Sequence, residues 1–281
     1  MRADEVKAIL ESIGKRPTKR LGQHFMLDDS VLRRMVSAAD LKAGETVLEI
    51  GPGLGNLTEE LLRSGAKVVA IEQDPAFVQF LRRRFGERIG LIQADAVKAF
   101  LPQFDKVVSN LPYQISSPII FKLLDVGFER AVLMLQREFA DRMVAKPGTE
   151  EYGRLSVGVY YRAECAIAFG VPRTAFWPQP RVDSCVVGLT PRPPPFVVAS
   201  EKAFFEVTKS IFSHRRKKIM NALQLPDYPQ EPVSVDLRAL PYASKRAEEL
   251  TPEMIGELTN ALLSSARFPS WDSAEASPRI R

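Results

Sequence analysis

The most constraining feature of this chain is an apolar run that stops at a glycine-rich turn. Residues 46–50 are mostly β-branched or apolar, as in a strand buried in a parallel sheet. Gly51, Gly53 and Gly55 follow at once, and glycines allow positive φ angles and a close approach of a ligand to the backbone. A helical pattern begins at Asn56. This order of strand, glycine turn and helix predicts an α/β protein.

Short apolar runs and helical patterns continue to alternate as far as residue 136. The predicted strands are 46–50, 67–71, 89–93 and 106–108, with helices near 75–85 and 118–124. Such alternation predicts a parallel sheet with helices on both faces. Residues 155–171 and 182–189 are expected to add two or three strands along an antiparallel edge.

Carboxylates at the next two strand ends favour a nucleoside cofactor. The glycine turn departs from the dinucleotide fingerprint, and alone it is equally consistent with an ordinary tight turn. Glu72 lies 23 positions after Glu49, close to the roughly 20-residue spacing at which a carboxylate meets a ribose diol. Asp95 ends the third strand and could accept a hydrogen bond from an adenine amino group. Either carboxylate alone could be a solvated loop residue, but their recurrence at successive strand ends predicts a binding site.

The segment Asn110 to Tyr113 follows the fourth predicted strand and predicts chemistry on an amine. Pro112 disfavours helix at Leu111 and so holds the Leu111 carbonyl in an extended geometry. The Asn110 Oδ1 atom and this carbonyl could accept both N–H bonds of adenine N6, and the Tyr113 ring could stack on the base. Alone, the segment is also consistent with a turn and a buried tyrosine. With the upstream pattern, it predicts methyl transfer from S-adenosylmethionine to a flat, amino-bearing base.

A proline-rich stretch marks the predicted domain boundary. Residues 191–195 contain four prolines, which a helix or a central strand cannot accommodate. We therefore predict one domain over 1–190 and a second over 191–281. Helical patterns in the second domain cover 201–212, 215–223 and 252–263.

The second predicted domain carries a run of four basic residues. They are Arg215, Arg216, Lys217 and Lys218. Such a run is often only a solvated face, but the net charge of +5 favours contacts with nucleic-acid phosphates. On a helix, Arg215 and Lys218 could share one face. Arg16, Lys19 and Arg20 form a second basic cluster.

Composition excludes several other classes of function. The two histidines make a metal site unexpected, and Cys165 and Cys185 fit reduced core residues. No apolar run is long enough to span a bilayer, and the first residues are charged rather than signal-like. We therefore expect a cytoplasmic protein without a membrane partner, and a monomer.

Five segments together resemble a known family. They are 22–26, 49–55, 110–113, 176–184 and 212–217, and they occur in the family's order. The chain resembles the KsgA/RsmA family of small-subunit ribosomal RNA adenine N6-dimethyltransferases. The resemblance implies a Rossmann-like, S-adenosylmethionine-dependent methyltransferase sheet followed by a smaller C-terminal helical domain. It also implies the small ribosomal subunit as partner, with two methyl transfers to N6 of each of two adjacent adenines near the 3′ end of its RNA.

The resemblance also implies site residues by position. Cofactor contacts fall on His24, Met26, Gly51, Gly53, Glu72, Asp95 and Asn110, and the chemistry falls on Asn110, Leu111 and Tyr113. Phe176 would be a second ring that clasps the flipped adenine. Position 24 is His where many relatives carry Asn, and position 26 is Met rather than Leu. From residue 266 onward no family pattern is found.

Three alternatives share the same strand-end pattern. The nearest is the family that methylates one adenine of large-subunit ribosomal RNA and confers macrolide resistance. The proline-rich boundary and the segment 212–217 favour the small-subunit alternative. A ribosome-assembly or transcription factor without catalysis is disfavoured by the intact segment 110–113. A DNA adenine methyltransferase is the third alternative.

Overall fold

The chain divides into two compact units. The computed structural model describes residues 1–16, 23–224 and 236–265. The first unit comprises 1–144 and 163–192, and the second comprises 145–162 and the described residues from 193 onward.

The described residues of the first unit form nine strands in two sheets. In chain order they are β1 (Phe25–Met26), β2 (Thr46–Ile50), β3 (Lys67–Glu72), β4 (Ile89–Gln93), β5 (Lys106–Asn110), β6 (Arg130–Gln136), β7 (Ala163–Val171), β8 (Phe176–Trp177) and β9 (Ser184–Pro191). The large sheet has the order β4-β3-β2-β5-β6-β9-β7, and β1 pairs with β8. The strands β4, β3, β2, β5 and β6 are parallel, whereas β9 and β7 complete the sheet in antiparallel pairs. The predicted α/β class with a parallel sheet is confirmed.

The strand order places a reversal point between β2 and β5. From β2 the chain moves outward through β3 to β4, and it then returns to the other side of β2 as β5. In open α/β sheets, ligands bind beyond the carboxyl ends of the strands at such a point. The glycine turn leaves β2 there, and Asn110 ends β5 at the same edge.

Six helices accompany these sheets in the part of the first unit that the structure describes. They are α1 (Ala3–Ser12), α2 (Asp29–Ala38), α3 (Asn56–Arg63), α4 (Pro75–Phe85), α5 (Ser116–Val126) and α6 (Arg137–Val144). The central strand β2 is buried on both faces, with Val47 and Leu48 fully inaccessible to solvent. The predicted strands up to residue 110 and the two predicted helices are confirmed.

The second unit includes a segment that the sequence prediction assigned to the first domain. Its helices are α7 (Arg154–Arg162), α8 (Glu201–Ser213), α9 (Ile219–Ala222) and α10 (Pro252–Ser264). The Tyr161 ring lies 4.8 Å from the Phe204 ring, centroid to centroid, and Tyr152 Oη donates a hydrogen bond to Leu250 O at 2.9 Å. Residues 145–162 therefore belong with the C-terminal helices, which corrects the predicted limits of 1–190 and 191–281. At Arg192 the predicted boundary differs from the observed one by only two residues.

Two predicted elements differ from the observed ones. Residues 155–162 were expected to form a strand, as part of the strand region predicted over 155–171. They form α7 instead, and this helix is buried around almost its whole circumference, so its pattern lacks a helical period. The helix predicted over 215–223 is reduced to α9, and residues 215–217 form a turn.

Candidate active site

A cavity of about 400 Å³ lies at the carboxyl edge of the parallel strands. Its size is typical of a site for a small molecule or cofactor. The predicted cofactor residues His24, Met26, Gly51, Gly53, Glu72, Asp95 and Asn110 all line it, together with Leu111 and Tyr113. The structure thus brings together residues that are up to 89 positions apart in the chain.

The glycine turn and the segment Asn110–Tyr113 are in direct contact. Gly51 has a φ of 73°, and a Cβ atom there would lie 3.1 Å from Pro112 Cγ. Gly51 N also donates a hydrogen bond to Ile71 O at 2.8 Å, which joins the turn to β3. A side chain at position 51 would therefore be strained and would press on Pro112.

Glu72 is the carboxylate at the end of β3, and backbone N–H groups hold it in place. Its Oε2 accepts a hydrogen bond from Gly53 N at 3.2 Å, and its Oε1 accepts one from Asp74 N at 2.9 Å. Burial raises the pKa of Glu72 above its ordinary value, and these backbone hydrogen bonds oppose that rise. A fixed carboxylate on the cavity wall is suited to accept from two neighbouring hydroxyls.

Glu49 is a second acidic residue of the cavity, and sequence reasoning used it only to measure spacing. It is 2% exposed on β2, and it accepts a hydrogen bond from Thr58 Oγ1 at 2.6 Å. Burial raises the pKa of Glu49 to about 8, and the nearby Glu72 carboxylate adds to the rise. At neutral pH the Glu49 carboxyl is therefore mainly protonated and can donate a hydrogen bond. A glutamate inside an apolar run was the signal that could have identified it.

Asp95 begins a tight turn after β4. Its Oδ1 accepts a hydrogen bond from Val97 N at 2.9 Å, and its backbone carbonyl accepts from Lys98 N and Ala99 N. The Oδ2 atom lies 4.0 Å from Lys98 Nζ, in an exposed ion pair that contributes little. One carboxylate oxygen thus caps the turn, and Oδ2 makes a long contact to Lys98 Nζ.

Tyr113 is held at its hydroxyl while its ring lines the cavity. A hydrogen bond of 2.8 Å joins Tyr113 Oη and Ser184 Oγ, and burial raises the pKa of Tyr113. The His24 ring lies 5.7 Å from the Tyr113 ring, centroid to centroid, and His24 Nδ1 is 2.6 Å from Pro178 O. Leu111 is 1% exposed, so its buried side chain anchors the backbone between Asn110 and Pro112.

Asn56 is a further polar residue of the cavity, and the sequence marked it only as the start of a helical pattern. Its Nδ2 donates a hydrogen bond to Met26 O at 3.0 Å. Its Oδ1 is buried, and within the described ranges it has no hydrogen-bond partner. A buried acceptor without a partner costs free energy, so Asn56 Oδ1 fits a ligand that brings a donor.

The structure does not bring Phe176 to the cavity. Phe176 pairs with Met26 across the β1–β8 ladder, it is 1% exposed, and its ring packs in the main hydrophobic core. Its pairing partner Met26 is buried in the same core and lines the cavity, so the clasping of a base by the Phe176 ring stays a prediction.

The basic run of the second unit is divided between two roles. Arg215 donates hydrogen bonds to Glu248 Oε2 at 2.8 Å, to Thr149 O at 2.7 Å and to Glu150 O. Its guanidinium therefore holds the segment 145–162, and it does not share a helix face with Lys218 as expected. Arg216, Lys217 and Lys218 are exposed.

Two basic residues that sequence reasoning missed lie beside this run. Lys218 pairs with Arg246 in an isolated antiparallel bridge, and Ile219 N donates a hydrogen bond to Lys245 O at 2.8 Å. Both Lys245 and Arg246 are exposed. Of the second predicted cluster, Arg16 is described, whereas Lys19 and Arg20 lie outside the described residues.

Neither a metal cluster nor a membrane helix is found in the part of the chain that the structure describes. Among these residues no three histidine, cysteine or acidic side chains are grouped as metal ligands. None of the described helices is both long enough and apolar enough to cross a bilayer.

The fold and the cavity together are those of the Rossmann-like methyltransferases. Among solved structures, a dimethyladenosine transferase from Plasmodium falciparum is similar, with a TM-score of 0.74 and 30% identity over 86% of this chain and 98% of that one. The 23S rRNA methyltransferase ErmE is similar with a TM-score of 0.64 and 27% identity over 85% and 99% of the two chains.

Sequence comparison identifies the family within this class. The family model for ribosomal RNA adenine dimethylase matches residues 14–234, and the chain belongs to that family. A probable ribosomal RNA small subunit methyltransferase A from Methanosarcina acetivorans is 49% identical over 251 residues, which is 85% of this chain and 91% of that protein. The protein of that name from Thermococcus kodakarensis is 39% identical over 280 residues, covering 96% and 99%. The resemblance and the predicted class of enzyme are confirmed.

Proposed function

We propose that this chain transfers methyl groups from S-adenosylmethionine to N6 of two adjacent adenines near the 3′ end of small-subunit ribosomal RNA. The observation that carries the proposal is one cavity lined both by the glycine turn with Glu72 and by Asn110, Leu111 and Tyr113. Relatives at 39–49% identity, named as small subunit methyltransferases, support the choice of subunit.

The residues of the cavity fit the proposed cofactor. When bound, S-adenosylmethionine supplies a methyl group activated by a positively charged sulfonium. Glu72 would accept from the ribose hydroxyls, and Asp95 Oδ2 would accept from the adenine amino group. The unpartnered Asn56 Oδ1 could accept from a further ligand donor. The remaining predicted contacts would come from His24, Met26, Gly51, Gly53 and Asn110.

The segment 110–113 would prepare the target amine. The lone pair of adenine N6 is delocalised into the ring, which makes it a poor nucleophile. Asn110 Oδ1 and the Leu111 carbonyl would accept its two N–H bonds and favour a tetrahedral nitrogen, while the Tyr113 ring stacks on the base. The proton can leave after transfer, so no strong base is required. A stacked adenine must first be unpaired or flipped to reach such a cavity.

The exposed basic residues of the second unit would bind RNA phosphates. Arg216, Lys217 and Lys218 are available for this role, whereas Arg215 is committed within its own unit. Phosphate contacts orient the protein on the RNA, and the cavity selects the base. We also propose that the protein acts in the cytoplasm as a monomer, which light scattering of the purified chain would check.

Nucleoside mass spectrometry tests the proposal directly. Small subunits that lack the modification would be incubated with the protein and S-adenosylmethionine, and we expect N6,N6-dimethyladenosine to appear in their RNA. The Asn110→Ala variant serves as the inactive control. Unmodified small-subunit RNA would overturn the proposal.

A second candidate is methylation of large-subunit ribosomal RNA. The observation that favours it is the similarity to ErmE at a TM-score of 0.64. The same assay with large subunits distinguishes the two candidate substrates. Dimethylated adenine in the large subunit alone would support methylation of large-subunit RNA.

A further inference from the structure

Lys122 makes an unusual set of hydrogen bonds in the first unit. It lies on α5, whose first turn directly follows Tyr113 and the short helical turn at 113–115. Its Nζ donates to Ala96 O at 2.9 Å, to Val97 O at 2.9 Å and also to Ala99 O. An ammonium group has three N–H donors, so each one has a carbonyl acceptor.

All three carbonyls belong to the turn that Asp95 begins. The Asp95 side chain caps the start of this turn through Val97 N, and Lys98 N and Ala99 N donate to the Asp95 carbonyl. At the other end, the last carbonyls of a single helical turn lack N–H donors within it. Lys122 supplies the missing donors, as basic side chains do at helix C-termini. The turn is thus held at its start by Asp95 and at its end by Lys122.

This arrangement links two walls of the cavity. Asp95 and Ala96 line the cavity on one side, and α5 continues from the segment 110–113 on the other. Because one Asp95 oxygen is used inside the turn, the position of the other oxygen depends on how the turn is held. Lys122 does not line the cavity, so any effect on a ligand acts through the turn, which reaches the cavity at Asp95 and Ala96.

We propose that Lys122 is a positioning residue that aims Asp95 at the amino group of the cofactor's adenine and thereby sets the preference for adenine over hypoxanthine. The inference rests on the proposed role of Asp95. A carboxylate attracts an amino group at position 6 of a purine, and it repels the carbonyl oxygen that hypoxanthine carries there. Lys122 would therefore affect recognition of the base and leave the contacts to the ribose unchanged.

The effect of the Lys122 hydrogen bonds on the turn can be tested without any ligand. Hydrogen exchange of the free protein would be followed by mass spectrometry on peptides that cover residues 94–100. In Lys122→Met we expect exchange of these amides to become about tenfold faster, because the turn loses charge-assisted hydrogen bonds. The matched control is Lys98→Met, since Lys98 lies in the same turn but contacts none of the three carbonyls.

The consequence for recognition is tested by calorimetry with S-adenosylhomocysteine and S-inosylhomocysteine. We expect wild type and Lys98→Met to bind the adenine compound more tightly by about tenfold. Lys122→Met should bind it about tenfold more weakly and keep its affinity for the hypoxanthine compound, so that the preference disappears. Glu72→Gln should weaken the binding of both compounds equally, because both carry the ribose that Glu72 would contact.

The outcomes separate the inference from the function on which it rests. If wild type binds neither compound, the proposed cofactor site fails and the inference fails with it. If wild type prefers the adenine compound and Lys122→Met keeps that preference, only the role of Lys122 is overturned. Should Lys122→Met fail to fold by circular dichroism, Lys122→Gln keeps two N–H donors, and an intermediate preference is expected. An unchanged preference in that variant would equally overturn the inference.

Discussion

The cavity of the first unit and the basic run of the second unit are assembled in opposite ways. The cavity collects residues from separate strand ends, and Gly51, Glu72, Asp95 and Asn110 each lie at the end of a strand that the sequence predicted. The basic run is continuous in sequence, yet the structure commits Arg215 to Glu248 and leaves Arg216 and Lys217 exposed. Neighbours in sequence can thus have different roles, whereas distant residues meet when sheet topology requires it. The comparison predicts that variants of the cavity alter chemistry or cofactor binding, and variants of the basic run alter stability or RNA affinity.

The largest effect is expected for Asn110→Ala. Loss of one preorganised hydrogen-bonding group at a reacting centre commonly costs about a hundredfold in rate or more. Single-turnover methyl transfer should fall by that factor, while affinity for the small subunit stays near that of wild type. Asn221→Ala, an exposed position on α9 in the second unit, is the control and should react normally. An equal loss of subunit affinity in Asn110→Ala would break the proposed division between the two units.

The next effect concerns the pH dependence of stability in the first unit. In the unfolded chain the Glu49 carboxyl loses its proton near pH 4.5. In the folded chain it keeps the proton until about pH 8, because burial raises the pKa of Glu49 to that value. The unfolded state therefore binds fewer protons in this window, and the free energy of unfolding falls as pH rises, by at most about 1.4 kcal/mol per pH unit. The contribution is fully present below pH 4.5 and is lost by about pH 8.

Glu49→Gln should remove most of this dependence, and the raised pKa of Glu72 accounts for what is left. Denaturant unfolding at pH 5 and at pH 7 should show a decrease of about 2–3 kcal/mol from Glu49 in wild type, and a clearly smaller decrease in the variant. Glu87→Gln, at an exposed position of the same unit, is the control and should retain the decrease. Parallel profiles for wild type and Glu49→Gln would contradict the protonated state assigned to Glu49.

Substitution of Tyr113 separates the ring from the hydroxyl. Base stacking on an aromatic side chain contributes about 1–3 kcal/mol, so Tyr113→Ala should weaken productive binding of the target adenine by that amount. Tyr113→Phe keeps the ring and loses only the hydrogen bond to Ser184, which typically contributes about 1 kcal/mol to stability. Methyl transfer by both variants at several RNA concentrations provides the measurement. Equal loss of activity in the two would rule out stacking as the function of the ring.

The smallest effects are expected in the basic run, and they distinguish a residue that holds its own unit from residues that bind RNA. Arg216→Ala and Lys217→Ala should each lower the logarithmic salt slope of subunit binding by about one unit. Arg215→Ala should leave that slope unchanged. It should instead lower the free energy of unfolding by about 1–3 kcal/mol, because the hydrogen bonds to Glu248 and to two backbone carbonyls are lost. Subunit binding at several salt concentrations, with denaturant unfolding of the same variants, would test both statements. A changed slope in Arg215→Ala would return that residue to the RNA-contact group.

Much of the sheet and the cavity was determined by the sequence alone. The glycine turn needs positive φ at Gly51, and strand ends with Glu72, Asp95 and Asn110 follow recognisable apolar runs. Because parallel strands end at one edge of a sheet, correct strand assignments were sufficient to bring these residues together. Local patterns decide such features, since each depends on a few consecutive residues.

Only the tertiary structure decided the features that depend on distant partners. Residues 155–162 form a helix of the second unit that is buried nearly all round, and Phe176 is buried in the main hydrophobic core, where it pairs with Met26. Arg215 and Lys122 each donate hydrogen bonds to backbone carbonyls that lie 23 or more positions away in the chain. Burial, backbone pairing and hydrogen bonds across the chain set these outcomes, and their energies exceed the small differences in local propensity that a sequence pattern reports.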